Sequence, residues 1–245
     1  MMDWNLVISK SNRMMPRIIF IILLLFSSIA NAFEPTAFKA QYAVFKGGLH
    51  LANSEITLDR SNNYWRWSMT SKARSVYQLF SDSQPHTETI FSLKPIGAKL
   101  YNILITDQKD RDQFESVRFD WTTKTVDIQR KGKHKIESFP GPVYDYNSIH
   151  FLIAQMQNEG LVNTTFTFYR KGKLIESNLQ FKGESKVEIN EKFIKTYRYQ
   201  QKLESSKSVI TYDYGLDNPI IPIRIERIHP NKKSSIMILQ SVTAG

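Results

Sequence analysis

The sequence predicts a mainly-β protein: a single antiparallel, strongly curved sheet or β-barrel-like domain, with one amphipathic helix at about 146–159 packed on it or plugging it. Three observations predict this. Apolar and polar residues alternate with period two along most of the chain, as they do when a strand buries one face and wets the other. Short turns containing glycine separate the alternating runs. One segment carries a helical period instead.

The strands follow in order. Segments 38–45 and 49–58 are the first two, joined at Gly47-Gly48. Trp65, Trp67 and Met69 alternate with Arg66, Ser68 and Thr70. Segments 87–93 and 98–106 come next. Val117, Phe119 and Trp121 alternate with Arg118 and Asp120, and Val126 and Ile128 alternate with Thr125, Asp127 and Gln129. Phe166 and Phe168 alternate with Thr165 and Thr167. Segments 174–181, 186–189, 193–203 and 208–212, the run around Ile223 and Ile225, and segment 234–242 complete the set. The tetrapeptide Arg-Lys-Gly-Lys occurs twice, at 130–133 and 170–173. Each copy lies between alternating runs and holds a glycine suited to a positive φ, so each is an expected hairpin tip.

Ile149, Leu152, Ile153 and Met156 follow i, i+3, i+4, i+7, which is one face of a helix. Asp145 is a suitable N-cap with Ser148 three residues later, and Gly160 supplies the stop. Phe139-Pro140-Gly141-Pro142 leads in as a rigid turn. A weaker helical turn is expected over 75–80.

The first 32 residues have the layout of an export signal. Lys10, Arg13 and Arg17 precede the apolar run IIFIILLLF at 18–26, and Ala30-Asn31-Ala32 supplies the small-x-small cleavage pattern. The run is shorter than the roughly 20 residues that span a bilayer, so cleavage between Ala32 and Phe33 is expected. Translation from Met14 or Met15 instead of Met1 would give a signal of ordinary length. No cysteine follows the run, so no lipid anchor is expected. Removing residues 1–32 lowers Lys+Arg from 33 to 30 and Asp+Glu from 23 to 22 and leaves 213 residues with a formal charge of +8. That length suits one domain over 33–245 with a core of its own. No second long apolar run follows, so no transmembrane segment is expected after signal removal. The expected location is the periplasm or another exported compartment, most naturally a Gram-negative envelope.

The stretch from Val143 to Phe151, with Asp145 and Ser148 at its centre, resembles the D-x-x-S helix start of the DUF3108 family, exported bacterial proteins of unknown function. Val117-Arg118-Phe119-Asp120-Trp121 with Val126 is similar to that family's "F-D-W … V" hairpin. Asn218 to Glu226 is similar to its closing "P-x-R-I-E" strand. With Tyr42 and Gly47, the resemblance covers nearly all of 38–242. The sequence departs from the pattern at Gly47-Gly48-Leu49-His50, where members often carry one glycine. The resemblance implies a β-barrel-like fold and an envelope location, and no established activity.

Composition narrows the chemistry. The absence of cysteine excludes a disulfide-stapled mini-protein, a cysteine-ligated zinc module and a thiol enzyme. There is no G-x-S-x-G elbow, H-E-x-x-H or P-loop, so no catalytic residue, metal ligand or cofactor is assigned. His50, His86, His134, His150 and His229 are scattered. His86, Glu88 and His50 would share a metal only if folding brought them together. Asp107, Asp110 and Asp112 resemble the start of a calcium loop without its glycine and distal glutamate, and read as a solvated turn. Asp145 and Ser148 read as a helix cap, not a catalytic pair, and Tyr212-Asp213-Tyr214 as a strand end.

Two features remain. Trp65, Trp67, Phe119 and Trp121 lie on strands expected to point inward; in a narrow barrel they fill the core, and in a wide one they line a ligand cavity. Lys131, Lys133 and Lys135, and Arg170, Lys171 and Lys173, cluster at the two matching tips, with Lys131, Lys133, Lys171 and Lys173 the candidate binding residues; there an exported protein meets lipid headgroups or other anionic envelope components and not nucleic acid. The leading function is a non-enzymatic binder of lipid or another hydrophobic ligand. The alternative is a structural or interaction protein docking a partner or anionic surface through its basic tips. A hydrolase of envelope glycans is the least supported.

Overall fold

The computed structural model describes residues 34–245 apart from 75–83, 95–96, 108–109, 111–112, 190 and 204–206. The signal segment and the helical turn expected over 75–80 therefore lie outside the described residues. Residues 34–245 form one compact unit.

The elements are, in chain order, β1 (Phe38–Lys46), β2 (Leu49–Ser61), β3 (Tyr64–Ala73), β4 (Pro85–Lys94), β5 (Gly97–Asp107), β6 (Glu115–Asp120), β7 (Thr125–Arg130), β8 (Lys133–Ser138), β9 (Val143–Tyr144), helix α1 (Ile149–Glu159), β10 (Asn163–Arg170), β11 (Lys173–Ile189), β12 (Lys192–Leu203), β13 (Ser208–Gly215), β14 (Pro222–His229) and β15 (Lys232–Ala244). They form one sheet in the order β8-β7-β6-β5-β4-β3-β2-β1-β15-β14-β13-β12-β11-β10-β9. Two antiparallel meanders, β1–β8 and β10–β15, are thus joined where β1 pairs with β15. The parallel pair β9–β10 makes the sheet mixed. Among the described residues no ladder joins β8 to β9, so the sheet is open at its ends and not a hydrogen-bonded closed barrel.

Turn chemistry sets the register. Gly47 and Gly48 both take positive φ, giving a two-residue tip with Lys46 opposite Leu49. A bulge follows at Leu51, because Phe45 faces His50 while Val44 faces Ala52. The second glycine of this tip is thereby absorbed without turning β2 over. The repeated tetrapeptides are both two-residue tips. Lys131-Gly132 and Lys171-Gly172 have positive φ, with Arg130 opposite Lys133 and Arg170 opposite Lys173.

Three elements differ from expectation. Segments 174–181 and 186–189 are one strand, β11, with a register shift between Phe181 and Gly183. β8 has no apolar alternation, because nearly all of its side chains are exposed; it is an end strand held by its ladder to β7. Its Lys133, His134 and Lys135 discourage edge-to-edge pairing. β9 is two residues long, too short for any period to register.

The helix proper begins at Ile149, later than 146, because residues 146–148 form a turn. Asp145 organises that turn. Its Oδ1 accepts from the Ser148 N–H at 2.8 Å and from the Ser148 hydroxyl at 2.6 Å, while the Asp145 N–H donates to Ser148 Oγ at 2.9 Å. This is the reciprocal pattern of a capping box, one turn ahead of α1. Ser148 is the formal N-cap and makes no further capping bond. At the other end Gly160 takes a left-handed conformation, and Leu161 N–H reaches Met156 O at 2.9 Å.

The buried face of α1 is wider than its period indicates. His150, Phe151 and Ala154 are buried alongside Ile149, Leu152, Ile153 and Met156. A helix covered on most sides belongs to the interior of a fold. His150 stacks on Trp67 of β3 at 4.7 Å and hydrogen-bonds Tyr214 of β13. Phe151 packs on Trp67 and on Phe91 of β4.

Candidate functional site

The site is built from hairpin tips at one end of the sheet. Glu115, the first residue of β6, is buried and faces Arg130 across the β6–β7 ladder. Its Oε2 accepts from Arg130 Nε at 2.7 Å. Its Oε1 accepts from the Tyr169 hydroxyl of β10 and, at 3.0 Å, from the Gly172 N–H in the β10–β11 turn. One carboxylate therefore ties the β7–β8 tip to the β10–β11 tip. The contact is close: a Cβ on Gly172 would lie 3.0 Å from Arg130 Cδ. A positive φ and a neighbouring side chain both select glycine there.

Around this tie the cations accumulate. Burial lowers the Lys171 pKa, and the neighbouring charges of Arg170, Arg227, Arg130 and Lys232 lower it further. His229, at the end of β14, is lowered by partial desolvation and then by Arg227, Lys232, Arg170 and Lys171. Arg170, Arg227 and Lys232 thus act on both groups, and Arg130 of the β7–β8 tip acts on Lys171 as well. Lys131, Lys133 and Lys173 are exposed on the first two of these tips.

Arg170 and Arg227 differ from the other described arginines in having a buried Nε without a hydrogen-bond partner. Elsewhere Arg60 meets Glu34, Arg66 meets Glu88, Arg198 meets Asp213 and Arg224 meets Glu226. Among the described residues, Arg170 and Arg227 form no ion pair, and the Nε of each is buried without a hydrogen-bond partner. The Arg227 guanidinium lies over the ring of Tyr146 at 6.0 Å, and Tyr146 meets Phe168 edge-on at 5.0 Å.

The aromatic residues sit elsewhere. Trp67 is 1% exposed, and its Nε1 has no partner. Phe38 meets it edge-on at 5.5 Å, opposite the arrangement with His150. Trp65 and Phe119 are buried, with Phe119 on Phe139. Trp121 is half-buried, donates to Leu100 O, and carries Lys99 and Lys124 at 5.2 and 5.0 Å from its ring. None of these four lines either of two open concavities along β10. One, about 370 Å³, is lined by Pro140, Tyr144, Leu152, Met156, Leu161 and Phe166 among others; the second, about 350 Å³, shares Pro140 and Phe166 with it.

The histidines are separated. His50 bonds Asn53 and Arg74, His86 bonds Thr70, His134 pairs with Asp127, and His229 bonds Ser208. His150 is enclosed, and burial pushes its pKa down to about 3. Among the described residues no three histidine or carboxylate side chains are placed to hold a metal. Asp107, expected in a solvated turn, is instead the buried last residue of β5, where it accepts from Gln84 N–H; Asp110 accepts from Gln113, and Asp112 lies outside the described residues. Asp145, buried, also accepts from Thr89 Oγ1 at 2.6 Å; burial raises its pKa against the lowering effect of its hydrogen bonds. Tyr212 donates to Gln201, and Asp213 is held by Arg198 at 2.7 and 3.1 Å.

Reading the sequence alone identifies Lys131, Lys133, Arg170, Lys171 and Lys173 but misses Glu115, Arg130, Tyr169, Arg227 and Lys232 as parts of one site. Arg130 stands in the repeated tetrapeptide, which was signal enough. Glu115, Tyr169 and Arg227 carry no local mark.

Among the described residues, a single large, mostly antiparallel sheet with one helix and many tips defines a mainly-β protein of the β-barrel-like kind. One solved structure agrees with that fold. A β-barrel-like protein of the DUF1849 domain of unknown function, from Brucella abortus, matches with a TM-score of 0.57 and 8% identity, covering 87% of this chain and all of its own. A Bacteroides fragilis protein described as exported, with a YmcC-like fold, matches at 6% identity and a TM-score of 0.31, covering 86% of this chain and 97% of its own. A search of the curated proteins gives no match. The chain belongs to the DUF3108 family, described as a protein of unknown function, whose model matches residues 38–231. Among the described residues no helix is long and apolar enough to cross a membrane.

Proposed function

We propose that this chain is an exported, non-enzymatic binding protein that docks on an anionic lipid surface through the basic end of its sheet. In this reading residues 1–32 are removed between Ala32 and Phe33, and 33–245 is the working domain in the envelope. The observation that carries it is the gathering of Arg170, Lys171, Arg227 and Lys232 beside the Arg130–Glu115 pair. Unneutralised cations on adjoining tips attract a negative surface, each adding about 1 kcal/mol near anionic lipid.

For the tips to present one surface the sheet must curl. His150 touches Trp67 on β3 and Tyr214 on β13, five strand spacings apart in the sheet order. A flat sheet would separate those strands by about 24 Å, far beyond the reach of one imidazole. Glu115 of β6 and Tyr169 of β10 likewise meet from near the two ends of the sheet. These contacts support a strongly curved sheet wrapped on α1, its ends tied by side chains in place of a ladder.

Sedimentation with phosphatidylcholine vesicles, with and without phosphatidylglycerol, tests the docking. Association is expected only with phosphatidylglycerol, weakening as salt rises. Reversing charge at Lys131, Lys133, Lys171 and Lys173 together is expected to abolish it. Association that persists in that variant, or that ignores salt, overturns the proposal.

A second reading, a hydrophobic ligand, is favoured by the groove of about 370 Å³ beside Leu152, Met156 and Leu161, whose size suits a small molecule. Native mass spectrometry of protein purified from the envelope tests it. An unliganded mass that organic extraction leaves unchanged counts against it.

A further inference from the structure

We infer that Arg170 and Arg227, with Lys171 and Lys232, form a discrete site for a phosphomonoester group at the centre of the basic end. The inference rests on the docking proposal above and specifies the chemistry that the end recognises.

The argument starts from the two arginines. A guanidinium offers five N–H donors in a planar fork and stays charged at any ordinary pH. Leaving one of those donors buried and unpaired is unfavourable, because the group has lost water and gained no acceptor. The Nε of Arg170 and that of Arg227 are both in this state. The chain solves the same problem elsewhere with carboxylates: Arg198 holds Asp213 through Nε and a terminal nitrogen, and Arg130 holds Glu115 through Nε. Arg170 and Arg227 lack such a partner, and the cations around Lys171 and His229 include both of them. Two forks with buried, unanswered donors, from β10 and β14, therefore share one electrostatic neighbourhood with Lys171 and Lys232.

An oxyanion with several terminal oxygens fits that neighbourhood. It accepts from two forks at once, as a single carboxylate does from one. A phosphomonoester also carries close to two negative charges at neutral pH and three terminal oxygens. A phosphodiester carries one charge and two such oxygens. Relief of repulsion among four cations grows with the charge of the ligand, so the site is selective for the monoester. Tyr146, backed edge-on by Phe168, holds the Arg227 side chain by cation–π contact, which limits the freedom the arginine loses on binding.

The test uses the purified protein, inorganic phosphate as the free probe, and two vesicle types matched for surface charge, containing phosphatidic acid or phosphatidylglycerol. Isothermal titration is expected to show saturable phosphate binding, and vesicle binding is expected to favour phosphatidic acid. In Arg170→Lys/Arg227→Lys, which keeps the charge and removes the forks, both the phosphate binding and the preference are expected to weaken about tenfold or more. Phosphatidylglycerol association is expected to persist in that variant. Lys94→Gln, at the exposed end of β4 and outside the basic cluster, is expected to keep both the phosphate binding and the preference, and matching thermal melts establish that both variants fold. Binding to phosphatidic acid vesicles without binding of free phosphate assigns the site to a lipid headgroup; binding of both assigns it to the phosphate group itself. Equal binding to the two vesicle types with no phosphate titration overturns the discrete site and leaves the docking proposal standing. Absence of binding to either vesicle overturns the docking proposal, and absence of phosphate titration as well overturns both.

Discussion

His150 makes acid stability a direct test of the packing around α1. The imidazole is 2% exposed, stacked on Trp67 at 4.7 Å and 16°, and hydrogen-bonded to the Tyr214 hydroxyl. Burial lowers its pKa from 6.5 to about 3, so the folded state holds it neutral. The unfolded chain takes up that proton first. Stability from this group is therefore complete above pH 6.5 and is lost as pH falls from there toward 3, at about 1.4 kcal/mol per pH unit. Between pH 7 and pH 4.5 the loss is about 2.5 kcal/mol. Other groups titrate in the same window. Buried Asp145, with its raised pKa, acts in the opposite direction by favouring protonation in the folded state. A paired measurement removes these shared contributions. His150→Phe keeps a flat ring against Trp67 and removes the titrating group, at a constant cost from the lost Tyr214 bond. Urea unfolding of both proteins at pH 7 and pH 4.5 is expected to show the wild type losing about 2–3 kcal/mol more than the variant. Equal losses would refute the argument, because they would mean that the imidazole is hydrated or protonated in the folded state.

Three further outcomes follow from the Glu115 tie, the tips and the hydrogen bonds of Asp145. Glu115→Gln keeps one acceptor oxygen where the carboxylate had two, so either Arg130 or the Tyr169–Gly172 pair loses its partner. A loss of about 2 kcal/mol in urea unfolding is expected, and a change under about half a kcal/mol would disprove the tie. Gly172→Ala and Gly132→Ala both force an alanine into a left-handed turn, each costing about 1–2 kcal/mol. Only the first also meets Arg130, so unfolding midpoints should drop further for Gly172→Ala than for Gly132→Ala. Thr89→Val removes a hydroxyl that donates to Asp145 at 2.6 Å and accepts from Asn147 at 3.0 Å. About 1–2 kcal/mol of stability should be lost, and a neutral result would show that Asp145 draws its hydrogen bonds from elsewhere.

Most of the β framework was legible because its signals are local. Alternation marks a strand when one face is buried, as in Trp65-Arg66-Trp67. Arg-Lys-Gly-Lys marks a tip when its middle two residues must take positive φ. β8 escaped because Lys-His-Lys-Ile-Glu-Ser buries almost nothing, so no alternation is written into it. The split of β11 has a similar cause: Gly183, Glu184 and Ser185 break the apolar pattern at a bulge without ending the ladder.

What the sequence alone determined, then, was the mainly-β class, the hairpin tips, the helix with its Asp145–Ser148 start, and the family. All of these are encoded by spacings of a few residues. Only the tertiary structure decided what fills the space between. His150 became a core residue because Trp67 and Tyr214, 83 positions before it and 64 after it, close on its two sides. The basic end exists because Glu115 draws two tips together and Arg227 arrives from a third. Side-chain neutralisation depends on distance in space, and no period along the chain records which arginine will find a carboxylate and which will be left waiting for one.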